Sequence, residues 1–289
     1  MIAPTVNRQF ILRKAKDRGG TILGLLCVVV ALIPLGALLG YVLAQGGTSV
    51  NLAFFTELPK PAGESGGGMS NAISGTLLLI ALTSVIGLPV GILSGIYLAR
   101  ARSNPFATTV RFVTDVIAGT PSIVAGVVAY ALVVVPLGGF SAFSGSVALA
   151  LLMFPTVTRA SEESLRLVPV SVREAALALG VPEWKTMLRI ILPAASTGIV
   201  TAVMLGVARV AGETAPLLFT AFGNPSIQLS PMKSVETLPV QIWTYAISPY
   251  DDWHRQAWAG AFVLFAIIVI LNVCARLMTR RLRARVGTG

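Results

Sequence analysis

Two ionisable residues stand where charge is costly. Arg209 and Glu213 lie in the run Ala208-Arg209-Val210-Ala211-Gly212-Glu213-Thr214-Ala215-Pro216, inside an otherwise apolar stretch. Four residues apart on a helix, they are expected to share one face. A single charge at mid-bilayer costs about 2.5–3.5 kcal/mol on insertion scales, so such residues pair, line a solute path, or do both. Arginine suits an oxyanion, because its planar fork donates two parallel hydrogen bonds. Glutamate repels an anion, but it can accept from a P–OH group, a donor that a fully ionised sulfate lacks. Thr214, next in the chain, joins them as a candidate for the path.

Other chemistry finds little support. No Walker-type Gly-rich loop leads into Lys-Ser or Lys-Thr, so P-loop binding of ATP is not expected. No Ser/His/Asp, Cys/His or metal-ligand spacing is present. Cys27 and Cys274 sit in apolar runs far apart and are expected to be buried, inert thiols. His254, the single histidine, is expected to be solvated or interfacial. Neither a catalytic residue nor a bound cofactor or metal is assigned to the chain.

The elements that position Arg209 and Glu213 are membrane helices. Of 289 residues, 55% are hydrophobic and 12% charged, half the usual charged share for a soluble domain. Six stretches approach the roughly 20 apolar residues of a membrane crossing: 22–44, 71–98, 112–136, 145–160, 196–221 and 257–279. The fourth is short and is expected to borrow from its neighbours. The net charge of +10 would suggest nucleic acid in a soluble protein; here its placement reads as topology. Of 22 Lys and Arg, eighteen fall in the two termini, the loop after span two (Arg100, Arg102, Arg111) and the loop after span four, where Arg159 is counted. Lys60, Lys233 and Arg255 fall on the other side, and Arg209 is the remaining one. Both termini are therefore expected in the cytoplasm. The first apolar stretch is too long for a cleaved signal peptide, so it is expected to stay as a helix.

Span two carries Gly87, Gly91 and Gly95 at four-residue spacing, a smooth strip for close helix packing. Pro89 favours a kink in the same span, and Pro121 interrupts span three, where Thr120 or Ser122 could satisfy the released carbonyls. These breaks serve equally as structural features or as hinges. Arg111 with Asp115, and Glu162 with Arg166, are spaced as surface helix pairs. The Gly- and Pro-rich segment 45–70 reads as a flexible connector. In 222–256 a short helix is expected around 234–247, with interfacial aromatics about it.

Between spans four and five lies a polar, helix-forming loop. Pro169 and Ser171 suit a helix start, and Arg173-Glu174-Ala175-Ala176-Leu177-Ala178-Leu179 is a strong helix former. Gly180 suits the position that ends it, Pro182 opens a second short helix, and Pro193 marks the approach to span five. Such a compact elbow moves as a unit. Glu174 offers a charge to a partner, while Ala175 and Ala176 allow close approach.

The spacing Glu174-Ala175-Ala176, Gly180, then Ile190, Leu192 and Pro193 resembles the EAA loop of ABC importer permeases. Further stretches resemble the permease subunits of bacterial phosphate ABC importers: Asn71-Ala72-Ile73-Ser74-Gly75-Thr76-Leu77, Gly119-Thr120-Pro121-Ser122-Ile123-Val124, the residues around Arg209 and Glu213, and Leu238-Pro239-Val240-Gln241-Ile242. The similarity runs from about Gly67 to Arg276. It departs at Arg100, where the family usually has an acid, and this is read as a surface change.

The resemblance implies an all-α membrane protein of six transmembrane helices, with a type I importer permease core in helices 2–6. The corresponding division is a cytoplasmic N-terminus at 1–21, a first helix and outer loop at 22–70, a permease domain at 71–279 and a basic tail at 280–289. It implies translocation of inorganic phosphate across a bacterial plasma membrane by alternating access. The partners would be a second homologous permease, two copies of an ATPase that uses ATP and Mg, and an extracytoplasmic phosphate-binding protein, with no nucleic acid. A permease for another oxyanion, a proton-coupled transporter using Arg209 and Glu213, and a phosphate-signalling scaffold are the competing classes.

Overall fold

The computed structural model describes residues 8–101 and 104–286. Arg102, residues 1–7 and residues 287–289 lie outside the described residues, as do the parts of the basic clusters that fall there. Among the described residues the chain is helical, with one isolated bridge between Phe222 and Val235.

In chain order the helices are α1 (Arg8–Tyr41), α2 (Leu52–Thr56), α3 (Ser70–Arg100), α4 (Pro105–Gly119) and α5 (Ser122–Ala129). They continue as α6 (Ala142–Arg166), α7 (Val170–Ala178), α8 (Glu183–Ala194, with a wider turn at Met187–Ile191) and α9 (Ser196–Ala211). The last three are α10 (Ala215–Leu218), α11 (Leu238–Ala246) and α12 (Asp251–Val286). Four of these are long and apolar enough to cross a membrane alone: α1, α3, α6 and α12. Counting each of two bent pairs, Pro105–Gly119 with Ser122–Leu137 and α8 with α9, as one span brings the number up to six.

The centre is α3 against α6. A Cβ at Gly87 would sit 3.0 Å from Met153 Sδ, one at Gly91 2.9 Å from Val157, and one at Gly95 2.7 Å from Ser161 Cβ. Lipid tails are as apolar as leucine, so close van der Waals packing is what joins such helices. Around this seam Leu79, Leu149, Met153, Val157, Val210 and Leu217 form the main core. α3 runs through Pro89 as one helix.

Several expectations are corrected. The stretch 112–136 is not one straight crossing. Pro121 has no N–H to donate and forces Thr120 into extended backbone (ψ 132°), so α4 and α5 meet at 107°. Thr120 Oγ1 donates to the Val116 carbonyl at 2.7 Å, which caps the end of α4. Span four is longer than 145–160: Ser141 Oγ accepts from Ser144 N at its start, and the helix continues to Arg166. Arg159 is therefore inside a helix rather than in a loop. The stretch 196–221 is broken after Ala211 and resumes only as the short α10.

The segment 45–70 is folded, not a loose connector. Asn51 caps α2 by accepting from Phe54 N at 2.8 Å. Gly63, Gly66 and Gly67 take positive φ and turn the chain back. Gly66 N donates to Asp252 Oδ2 at 3.1 Å, and Gln256 Nε2 donates to the Gly66 carbonyl at 2.9 Å, which ties the loop to α12. Cys27 and Cys274 are free thiols, as expected, but both are exposed, because α1 and α12 turn their apolar faces outward. His254 is half-buried, with a ring nitrogen 2.7 Å from the Ser248 carbonyl oxygen.

Candidate functional site

Arg209 occupies the last turn of α9, and Gly212 terminates that helix. Glu213 follows the terminus, so the two side chains do not share a helix face. No ion pair joins them among the described residues. The self-neutralised pair is thus replaced by another arrangement. Arg209 is exposed and donates to Thr156 Oγ1 on α6 at 3.1 Å. A hydroxyl orients a guanidinium without cancelling its charge, so the cation keeps its pull on an anion. Glu213 and Thr214 are half-buried in the turn between α9 and α10.

From Thr156 a polar stripe descends α6 at helical spacing. Arg159 pairs with Asp115 of α4. One turn further, Glu162 accepts from Arg111 of α4 at 3.0 Å and from Arg166 at 2.6 Å. The local pairing of Arg111 with Asp115 is not what forms: Arg111 reaches across to Glu162 and also donates to the Leu98 carbonyl at 2.8 Å. Packing of α4 onto α6 sets these partners, which spacing along one helix could not reveal.

The stripe ends at the elbow of α7 and α8. Gly180 takes φ +76°, a left-handed conformation that an L side chain enters at a cost. Gly180 N donates to Leu177 O and Val181 N to Ala176 O, closing the helix end. Pro182 caps α8 rather than opening it, and Glu183 begins that helix. Pro193 follows the wider turn of α8, which accommodates the missing donor. Glu174, Ala175, Leu177 and Leu179 are exposed, Leu179 by 83%. Ala176 is buried, so its small size serves packing within the chain rather than approach by a partner.

Arg100, read from the sequence as a surface change, has a defined partner. Its Nη2 is 2.5 Å from Glu183 Oε2, and Arg173 holds the other oxygen of the same carboxylate. Glu183 thereby fastens the end of α3 to both arms of the elbow. Glu183 was not singled out in the sequence; its place one residue after Pro182, ten from Arg173, was the available signal.

At the opposite end, Glu236 also escaped sequence reading. It lies in the loop before α11, where Oε1 accepts from Thr237 N at 2.9 Å. A Cβ at Gly75 would overlap the Glu236 carbonyl oxygen, and one at Gly223 would come within 2.7 Å of Oε2. Gly75 is therefore required by close backbone approach, and Gly223 by its φ of +70°. Burial pushes the Glu236 carboxyl up to about 7, opposed in part by the Thr237 hydrogen bond. An acid whose folded pKa exceeds its unfolded value holds its proton longer when folded. The contribution of Glu236 to stability is therefore most favourable below about pH 4.5, falls as pH rises towards 7, and levels off above it. In thermal unfolding in detergent, the midpoint gained by Glu236→Gln over the parent should be larger at pH 8 than at pH 5, by a contribution on the order of 1–3 kcal/mol. An unchanged pH dependence in the variant would remove Glu236 as its source.

Comparison with known proteins adds family information. Residues 87–288 match the family model described as the binding-protein-dependent transport system inner membrane component. The chain is 41% identical over 267 residues to the phosphate transport system permease protein PstA of Yersinia pestis, covering 92% of this chain and 90% of that protein. It is 38% identical over 295 residues to PstA 1 of Mycobacterium tuberculosis strain H37Rv, covering 98% and 95%. Among solved structures, a bacterial alginate ABC transporter in complex with its pentasaccharide-bound periplasmic protein contains a chain similar over 93% of this one and 97% of its own length (TM-score 0.64, 16% identity). An inward-facing MetNI methionine ABC transporter matches 75% of this chain and 96% of its own (TM-score 0.57, 21% identity). At these identities the structural likeness speaks for the fold, an all-α importer-permease architecture.

Proposed function

We infer the function from one premise: this chain belongs to the family of binding-protein-dependent transport system inner membrane components. It is the permease subunit of an ATP-driven importer, and it translocates inorganic phosphate. The similarity to phosphate permeases over nine-tenths of both lengths carries the substrate assignment. The chain is a membrane subunit with no ATPase site of its own and no resident cofactor. ATP and Mg belong to two copies of a partner ATPase that dock on the two elbows.

A second, related permease completes the pathway, facing the side on which Arg209 is exposed, and an extracytoplasmic binding protein delivers phosphate. The basic bias puts both termini and the elbow in the cytoplasm. Closure of the ATPase dimer on ATP draws the elbows together. Because Glu183 ties each elbow to α3 through Arg100, that displacement reaches the helix packed on α6. The cavity then faces outward, and phosphate enters beside Arg209. Arg209 donates to its anionic oxygens while Glu213, free of Arg209, accepts from its P–OH. Hydrolysis and product release return the cavity to the inside.

Reconstitution tests this reading. Proteoliposomes holding the chain, a partner permease and the ATPase should accumulate phosphate only with ATP, Mg and a phosphate-loaded binding protein. Uptake by the chain alone, driven by a proton gradient without nucleotide, would refute it in favour of a secondary transporter.

A further inference from the structure

Behind the elbow, away from Arg209, lies a cavity of about 210 Å³ whose lining includes Arg100, Arg166, Arg173, Ala99, Leu165 and Met187. Its charge balance is uneven. Glu183 serves both Arg100 and Arg173, and Glu162 serves both Arg111 and Arg166. Arg100, Arg166 and Arg173 line the cavity with only two carboxylates, Glu183 and Glu162, to hold them, which leaves one positive charge in excess around one concavity. A carboxylate has enough lone pairs to satisfy two arginines by hydrogen bonding, but it has a single charge to offer. The arginine side chains stay accessible, with Arg100 56% and Arg166 42% exposed. Apolar groups from α3, α6, α7 and α8, with Val168 and Pro169 between them, form the remaining wall.

We propose that this cavity is a binding site for a phosphate-bearing anion, held by Arg100, Arg166 and Arg173. Guanidinium forks match the paired oxygens of a phosphate, and the excess positive charge favours an anion over a neutral ligand. The same chemistry is presented by free inorganic phosphate and by the headgroup of an anionic phospholipid. Occupancy would bind α7 and α8 to the ends of α3 and α6 and so stiffen the elbow. The site follows from this chain's own charge balance and stands whether or not phosphate is the solute carried.

The test uses the full chain assembled with its partner subunits. In one arm, the lipid-depleted complex is titrated with inorganic phosphate at low ionic strength by calorimetry. In the other, the complex is placed in nanodiscs of phosphatidylcholine with or without phosphatidylglycerol, and retained lipid is counted by native mass spectrometry. Arg209→Gln is present in all samples, so the path residue does not contribute. A free-anion site gives a phosphate isotherm that weakens with salt and about tenfold or more in Arg100→Gln/Arg166→Gln, the factor expected for one lost charge-assisted hydrogen bond. A headgroup site gives retained phosphatidylglycerol that the same double variant loses. Arg100→Lys/Arg166→Lys keeps the charge and should keep binding in whichever arm is positive, which separates loss of the site from loss of the fold. Binding of neither phosphate nor phosphatidylglycerol above the level of the double glutamine variant would overturn the proposal.

Discussion

Arg209→Gln should abolish phosphate accumulation while leaving the chain folded in the membrane. The side chain is exposed at the end of α9 and donates to the hydroxyl of Thr156, so its removal leaves no buried carboxylate uncompensated. The loss instead falls on the solute. A guanidinium fork donates two charge-assisted hydrogen bonds to an oxyanion, each worth about 1.5–3 kcal/mol, so transport should fall by 100-fold or more. Arg209→Lys should recover part of it, since the charge returns without the fork. Uptake from reconstituted complexes, normalised to the chain recovered in monodisperse form, measures this. Near-normal accumulation by Arg209→Gln would remove Arg209 from the path.

Gly95→Leu should prevent assembly of the bundle. The missing Cβ would stand 2.7 Å from Ser161 Cβ and 2.8 Å from the Thr158 carbonyl oxygen, so the obstacle includes backbone. Overpacking a core commonly costs about 1–3 kcal/mol, and more where, as here, two helices must separate along their seam. Gly36→Leu is the matched control, because nothing lies within 4 Å of the side chain it would add. Detergent-resistant folded yield and thermal midpoint should drop sharply for the first and stay close to the parent for the second. Equal behaviour of the two would mean that the α3–α6 contact is not what holds the chain together.

Both expectations began in the sequence, and each needed the structure to take its final form. The glycine spacing in α3 already identified a smooth strip, since residues four apart lie on one helix face. It could not name Met153, Val157 and Ser161 as the surface packed against it. Arg209 was legible as an intramembrane charge, but its partner was misread. The expected pair with Glu213 assumed a helix that continues, and that helix ends at Ala211 with Gly212 as its cap. The elbow fared better, because its signals are short-range: alanine-rich helix, a glycine able to take positive φ, and proline at the entry to the next turn.

What the sequence determined by itself was the membrane class, the six apolar regions, the elbow and the family resemblance. Hydropathy, helix propensity and turn chemistry act over a few neighbouring residues, so they can be read along a line. The tertiary structure alone decided the 107° break at Pro121, the reach of Arg111 to Glu162, the clasp of Arg100 on Glu183 and the burial of Glu236. Each of these depends on where two distant stretches of backbone meet. A charge finds whichever opposite charge the packing of helices brings within reach, and that distance is written nowhere in the local order of residues.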